Sequence, residues 1–190
     1  MIDLKTNDQS TTMILAVDTE KFSLEDFIAN PPEHQEWVDG KLVETKGMTI
    51  KHSRIQSKLS RYWGNYLNDS GQGGDVGVEL PCQTTKQGRR PDVAYLTPEL
   101  LEQFEDIAVL PQSPPLVAEI ASPSDAAEDL FAKAEEYLQS SCQEVWLVFP
   151  ESLRILIITP GKTLAFSVGD EISTQTVLLG FQVSVAELLG

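Results

Sequence analysis

One stretch limits the folds open to this 190-residue chain more than any other. Leu116-Val-Ala-Glu-Ile-Ala121 is apolar at every position except Glu119 and has the length of a strand. A carboxylate buried there as an ion is costly unless something neutralises it, so Glu119 needs a reason to be where it is. Metal binding is one such reason. Asp92 makes the same case more weakly. It opens the strand Asp92-Val-Ala-Tyr-Leu96 directly after Arg89-Arg90-Pro91, and could instead lie exposed at the strand end. Two hard oxygen donors at neighbouring strand ends suit Mg²⁺ or Mn²⁺, which take one or two carboxylates plus waters and phosphate oxygens.

The surrounding pattern places both acids in a mixed α/β domain. Residues 1–21 show no periodicity and read as a mobile tail, with order beginning near Phe22. Ser23 and Asp26 resemble the cap of a short helix that Pro31-Pro32 stops. Trp37-Val38 and Leu42-Val43 flank Asp39-Gly40, a dipeptide that favours a tight hairpin turn. From Thr49 to Ser70, Ile55, Leu59, Trp63 and Tyr66 keep helical spacing, with Gly71 as terminator. Val76, Val78 and Leu80 alternate as a strand, and Thr97-Pro98 opens a short helix. After Glu119, Ser122-Pro-Ser-Asp125 predicts a turn and an N-cap for a helix carrying Ala127, Leu130, Phe131, Ala134, Tyr137 and Leu138. Strands over 145–149 and 153–158 follow, the first central because both its faces are apolar. Short strands near 163–168 and 174–179 and a turn capped at Ser184 to Glu187 complete the reading.

Charge divides the chain. Lys plus Arg number 14 against 29 Asp plus Glu, a net charge of −15 that opposes tight nucleic-acid binding. Yet residues 46–68 and 80–91 contain no acid, and they hold Lys46, Lys51, Arg54, Lys58, Arg61, Lys86, Arg89 and Arg90. On a helix, Lys51, Arg54, Lys58 and Arg61 form one stripe beside the apolar face, suited equally to plain solvation or to nucleic-acid contact. Apolar runs fall short of the ~20 residues of a membrane-spanning helix. The start, MIDLKTNDQSTTM, lacks the pattern of a secretory signal, and a cytoplasmic location is expected. Cys82 and Cys142 have no metal-ligand spacing and read as small half-buried thiols, and two histidines make a Cys/His metal site unlike this chain.

Phosphodiester hydrolysis also needs a cation to steady the attacking water or the charge developing on phosphorus. Lys133, fourteen residues after Glu119 on the next helix, is the candidate, although an exposed pair with Asp129 would explain it as well.

The order Asp92, Glu119, Lys133 resembles the Uma2 family, part of the PD-(D/E)xK restriction-endonuclease-like superfamily and common in cyanobacteria. Glu36-Trp-Val-Asp-Gly-Lys-Leu-Val-Glu44 is similar to the family's E-L-I-D-G-E-L-V hairpin. Arg90-Pro-Asp-Val93 is similar to R-P-D-V, and Val117-Ala-Glu-Ile-Ala-Ser-Pro-Ser124 to V-V-E-V-L-S-P-S. Asp129, Lys133 and Tyr137 match D-x3-K-x3-Y, Val145-Trp-Leu-Val matches Y-W-L-V, and His52 stands where the family has a histidine. The superfamily's usual lysine position, two after the glutamate, is Ala121, so the resemblance implies that Lys133 supplies the amine from the helix. Val148-Phe-Pro150 and Ser140-Ser-Cys142 depart from the family's V-D-P and A-G-V.

The resemblance implies a restriction-endonuclease-like core with a central mixed sheet flanked by helices, an N-terminal hairpin and one domain over 22–190. It also implies an endonuclease in which Asp92 and Glu119 hold Mg²⁺ or Mn²⁺ and Lys133 and Glu44 assist catalysis. His52, Arg54, Lys58, Arg89 and Arg90 would contact substrate, the partner would be nucleic acid (DNA), and the assembly a homodimer. The competing reading is a binding or regulatory protein that keeps the fold without cutting, supported by the charge of −15.

Overall fold

The computed structural model describes residues 22–45 and 49–190, so the tail read over 1–21 and the cation Lys46 lie outside the described residues. Ser23 caps helix α1 (Leu24–Ala29) by accepting from the Asp26 backbone N–H, while Asp26 accepts from the Ser23 N–H in return. Strands β1 (Gln35–Val38) and β2 (Lys41–Glu44) form the hairpin, with φ of 49° at Asp39 and 81° at Gly40. Positive φ at both central residues matches the right-handed twist of the strands. Helix α2 (Ile50–Ser70) starts at Thr49, whose hydroxyl accepts from the His52 N–H at 3.1 Å, and ends at left-handed Gly71.

Short strands follow: β3 (Asp75–Val78), β4 (Cys82–Gln83), β5 (Gly88–Arg89) and β6 (Val93–Leu96). Helix α3 (Pro98–Phe104), capped by Thr97, leads to β7 (Leu116–Ile120) and helix α4 (Ala127–Leu138). Then come β8 (Glu144–Phe149), β9 (Arg154–Thr159), β10 (Lys162–Ser167), β11 (Glu171–Ser173), β12 (Gln182–Ser184) and helix α5 (Val185–Leu189).

Six strands form the central mixed sheet in the order β10-β9-β8-β7-β6-β3. Only β7 and β8 run parallel, joined by α4 as the crossover. Both strands are buried on their two faces, which is why they read as near-continuous apolar runs. Ala118, Ile120, Trp146 and Val148 face α2, where Trp63 meets Trp146 edge-on at 5.6 Å between centroids. Val117, Val145 and Leu147 face α4 through Leu130, Ala134 and Tyr137. Because side chains alternate along a strand, Glu119 shares the α4 face with Val117.

A second sheet, in the order β2-β1-β5-β4, carries the hairpin. Its β5 passes so close to fully buried Phe27 that a methyl group on Gly88 would stand only 2.5 Å from Cε1 of that ring. Gly88→Ala is therefore expected to destabilise the protein by about 1–3 kcal/mol through overpacking, read from the denaturant midpoint.

Four expectations change. Helix α4 is capped at Ala126 with no side-chain hydrogen bond, because the Asp125 carboxylate instead accepts from the Ser122 N–H at 2.7 Å within the turn. Phe131 is 41% exposed, since the core takes only the narrow stripe Leu130, Ala134 and Tyr137. Residues 174–179 are not a strand: the Gln175 and Thr176 N–H groups bond the Glu144 carboxylate, and β11 instead pairs with β12. Both cysteines are buried rather than half-buried.

Candidate active site

Asp92 and Glu119 meet because of strand register. Val93 pairs with Ala118 across the antiparallel β6 and β7, and one step further along that ladder Asp92 stands opposite Glu119. Asp92 Oδ2 accepts from the Ile120 N–H at 2.6 Å and from His52 Nε2 at 3.2 Å. His52 sits on the first turn of α2, and one turn later Gln56 Nε2 donates to the Asp92 carbonyl at 3.0 Å. Burial alone would make the His52 imidazolium less favourable, but the hydrogen bond and charge of Asp92 outweigh it and hold the pKa above its ordinary value.

From the other side, α4 presents Lys133 and Tyr137 on one face, four residues apart. Lys133 Nζ lies 3.0 Å from each Glu119 carboxylate oxygen, and the Tyr137 hydroxyl donates to Oε1 at 2.7 Å. The amine turns inward to Glu119 rather than back along the helix to Asp129. Asp92, Glu119 and Lys133 are thus brought together on the floor of a cleft of about 480 Å³.

Sequence reasoning missed Glu36 as a site residue. Its Oε1 lies 2.9 Å from Lys133 Nζ and accepts from the Arg90 N–H at 2.9 Å, while Oε2 accepts from Arg89 Nη1 at 3.1 Å. The available signal was an acid in a hairpin strand one residue before Trp37, on the face that β1 turns inward. Glu44 ends β2 on the cleft wall and is exposed.

The cations read as substrate contacts divide. Arg89 bridges Glu36 and Glu136, the latter through Nη2 at 2.7 Å and Nε at 3.1 Å, and Thr84 also donates its hydroxyl to Glu136. Arg90 donates to the carbonyls of Gln35, Glu79, Pro31 and Pro32. Both line the cleft while tying the hairpin to the rest of the fold. Arg54 and Lys58 lie outside the cleft, lining a shallow basic depression on α2 with Ser53, Ser57 and Arg61. Lys58 Nζ also donates to the Glu187 and Gly190 carbonyl oxygens.

The model of the Uma2 family, described as "Putative restriction endonuclease", matches residues 20–186. The chain belongs to the Uma2 family. Among solved structures, this Uma2 protein is similar to "a putative nuclease belonging to DUF820" from Anabaena variabilis. That match has a TM-score of 0.77 and 20% identity, and covers 87% of this chain and 96% of the other. The two share a fold, a mixed α/β core with helices flanking the central sheet. No curated protein matches the sequence. Among the described residues, no helix is long and apolar enough to cross a membrane.

The charge balance of the Uma2 site suits a cation. Burial pushes the Glu119 carboxyl up to about 7, opposed by Lys133 and Tyr137 but reinforced by the negative charges of Asp92 and Glu36. Burial would also raise Glu36, yet Lys133 and Arg89 hold it below the usual carboxylate range. The rise at Glu119 marks crowded carboxylate charge that Lys133 does not fully offset. Among the described residues no three His, Cys, Asp or Glu side chains cluster as a metal site. Two carboxylates, with water and substrate oxygens completing the sphere, nevertheless fit Mg²⁺, and Asp92 Oδ1 has no hydrogen-bond partner among the described residues.

Tyr137 holds Glu119 from behind. Tyr137→Phe, which removes only the hydroxyl, is expected to lower stability by about 1.5–3 kcal/mol, the range for a hydrogen bond to a charged group, as read by chemical denaturation.

Proposed function

We propose that this Uma2 protein is a divalent-metal-dependent endonuclease acting on DNA, with Asp92 and Glu119 as the ligands of Mg²⁺ or Mn²⁺. One observation carries the reading: two carboxylates from adjacent strand ends and a lysine from the crossover helix converge in an open cleft. The metal, when bound, would supply Lewis-acid stabilisation of the phosphoryl oxygens. Lys133 would hold the attacking water or the charge developing on phosphorus, and Glu44 on the wall would assist by hydrogen bonding. His52 and the Ile120 N–H fix the rotamer of Asp92, keeping its Oδ1 for the cation.

Arg54 and Lys58 lie in an acid-free depression suited to backbone phosphates, which would fix the register of the polymer without reading its sequence. In the same proposal residues 22–190 act as one cytoplasmic domain, and a homodimer would offer one site to each strand of a duplex.

The reading is tested by incubating purified protein with supercoiled plasmid. Nicking that requires Mg²⁺ or Mn²⁺ and stops on chelation is expected. Absence of nicking with either metal, alongside retained DNA binding, would support the second reading, a nuclease-fold binding protein. The net charge of −15 and the engagement of Arg89 and Arg90 by protein groups favour that alternative.

A further inference from the structure

We propose that Glu36 is a positioning residue for Lys133, which makes the N-terminal hairpin a working part of the site rather than a flanking ornament. This rests on the reading of Lys133 as the site's amine. Four charged side chains close a ring. Lys133 meets Glu36 at 2.9 Å, Glu36 meets Arg89 at 3.1 Å, and Arg89 meets Glu136 at 2.7 Å. Lys133 and Glu136 are three residues apart on α4, so the circuit leaves that helix and returns to it. Glu36 is its only member on β1.

Glu36 is itself held firmly. Its side chain is 9% exposed, and the Arg90 backbone N–H fixes Oε1 while Arg89 fixes Oε2. Such a carboxylate is a poor device for stabilising a hairpin, because a buried ion pair often contributes no more than an apolar pair of the same size. It is a good device for placing an ammonium. Glu119 alone would set the position of Lys133 only from the sheet side, and any other partner taken by Glu119 would loosen that hold. Glu36 approaches from the hairpin and keeps the amine between two carboxylates whatever Glu119 binds.

The test uses the full chain as wild type, Glu36→Gln, Glu36→Asp and Glu36→Ala. Each is acylated with an amine-reactive reagent, and modification of Lys133 is followed by mass spectrometry against exposed Lys162. Losing one charged hydrogen bond is expected to speed Lys133 modification about tenfold or more in the Gln and Ala variants, with partial protection restored by Asp. Hydrogen exchange over residues 35–44 should stay at wild-type protection in the Gln variant. Equal protection of Lys133 in wild type and Glu36→Gln would overturn the proposal. So would Lys133 exposure that appears only together with lost hairpin protection, since Glu36 would then be structural. In a protein that nicks plasmid, Glu36→Gln should also lower kcat with little change in KM. If wild type does not cut, the endonuclease reading fails while the labelling result still decides the role of Glu36.

Discussion

Asp92→Asn is expected to reduce metal-dependent plasmid cleavage by at least about 10²-fold while leaving the melting temperature near that of wild type. Asparagine keeps an acceptor oxygen for the Ile120 N–H, now bonded at 2.6 Å, so β6 and β7 remain tied at the same point. What is lost is the charge. A neutral amide oxygen is a far weaker partner for a hard divalent cation, and Glu119 would be left as the only charged ligand. Calorimetric titration with Mn²⁺ should show weakened binding in parallel with the loss of nicking. Cleavage at the wild-type rate by Asp92→Asn would sink the assignment of Asp92 as a metal ligand. The comparison is cleaner than truncation of Lys133, which would leave Glu36 and Glu119 buried with their shared cation gone.

Glu144→Ala should have the largest effect on stability, about 3–5 kcal/mol, because several buried donors lose their shared acceptor and a cavity is left behind. Glu144 is fully buried at the start of β8. Its Oε1 accepts from Trp146 Nε1 at 2.7 Å. Its Oε2 accepts from the N–H groups of Gln175 and Thr176 at 2.7 and 2.8 Å and from the Thr176 hydroxyl at 3.0 Å. Alanine would strand these donors and open a cavity beside Trp146. For a chain of this size the melting temperature should fall by roughly 10 °C, measured by thermal denaturation. A drop of less than about 2 °C would mean that water or a shifted loop satisfies those donors instead.

Glu144 also explains why residues 174–179 form no strand. Val177, Leu178 and Leu179 gave residues 174–179 the apolar character of a strand, but the backbone there is directed to a side chain rather than to a neighbouring strand. Such a choice depends on a carboxylate more than thirty residues away, which no local pattern carries. The two-residue strands β4 and β5 escaped for a related reason, being too short to show alternation. Arg89 and Arg90, expected as substrate contacts, do line the cleft, and local sequence carried no sign that their guanidinium groups also bond Glu36, Glu136 and backbone carbonyls.

The sequence by itself determined the order of the main elements, the burial of β7 and β8, the hairpin at Asp39-Gly40 and the oddity of Glu119. Each follows from local chemistry: hydrophobic period, turn conformation, or the cost of an ion among apolar neighbours. Tertiary structure decided what Glu119 meets. Register across β6 and β7 placed Asp92 opposite it, the α4 crossover delivered Lys133 and Tyr137, and the hairpin folded back to bring in Glu36. These partners come from segments whose separation in the chain carries no signal of contact, because long-range meeting depends on how whole layers pack.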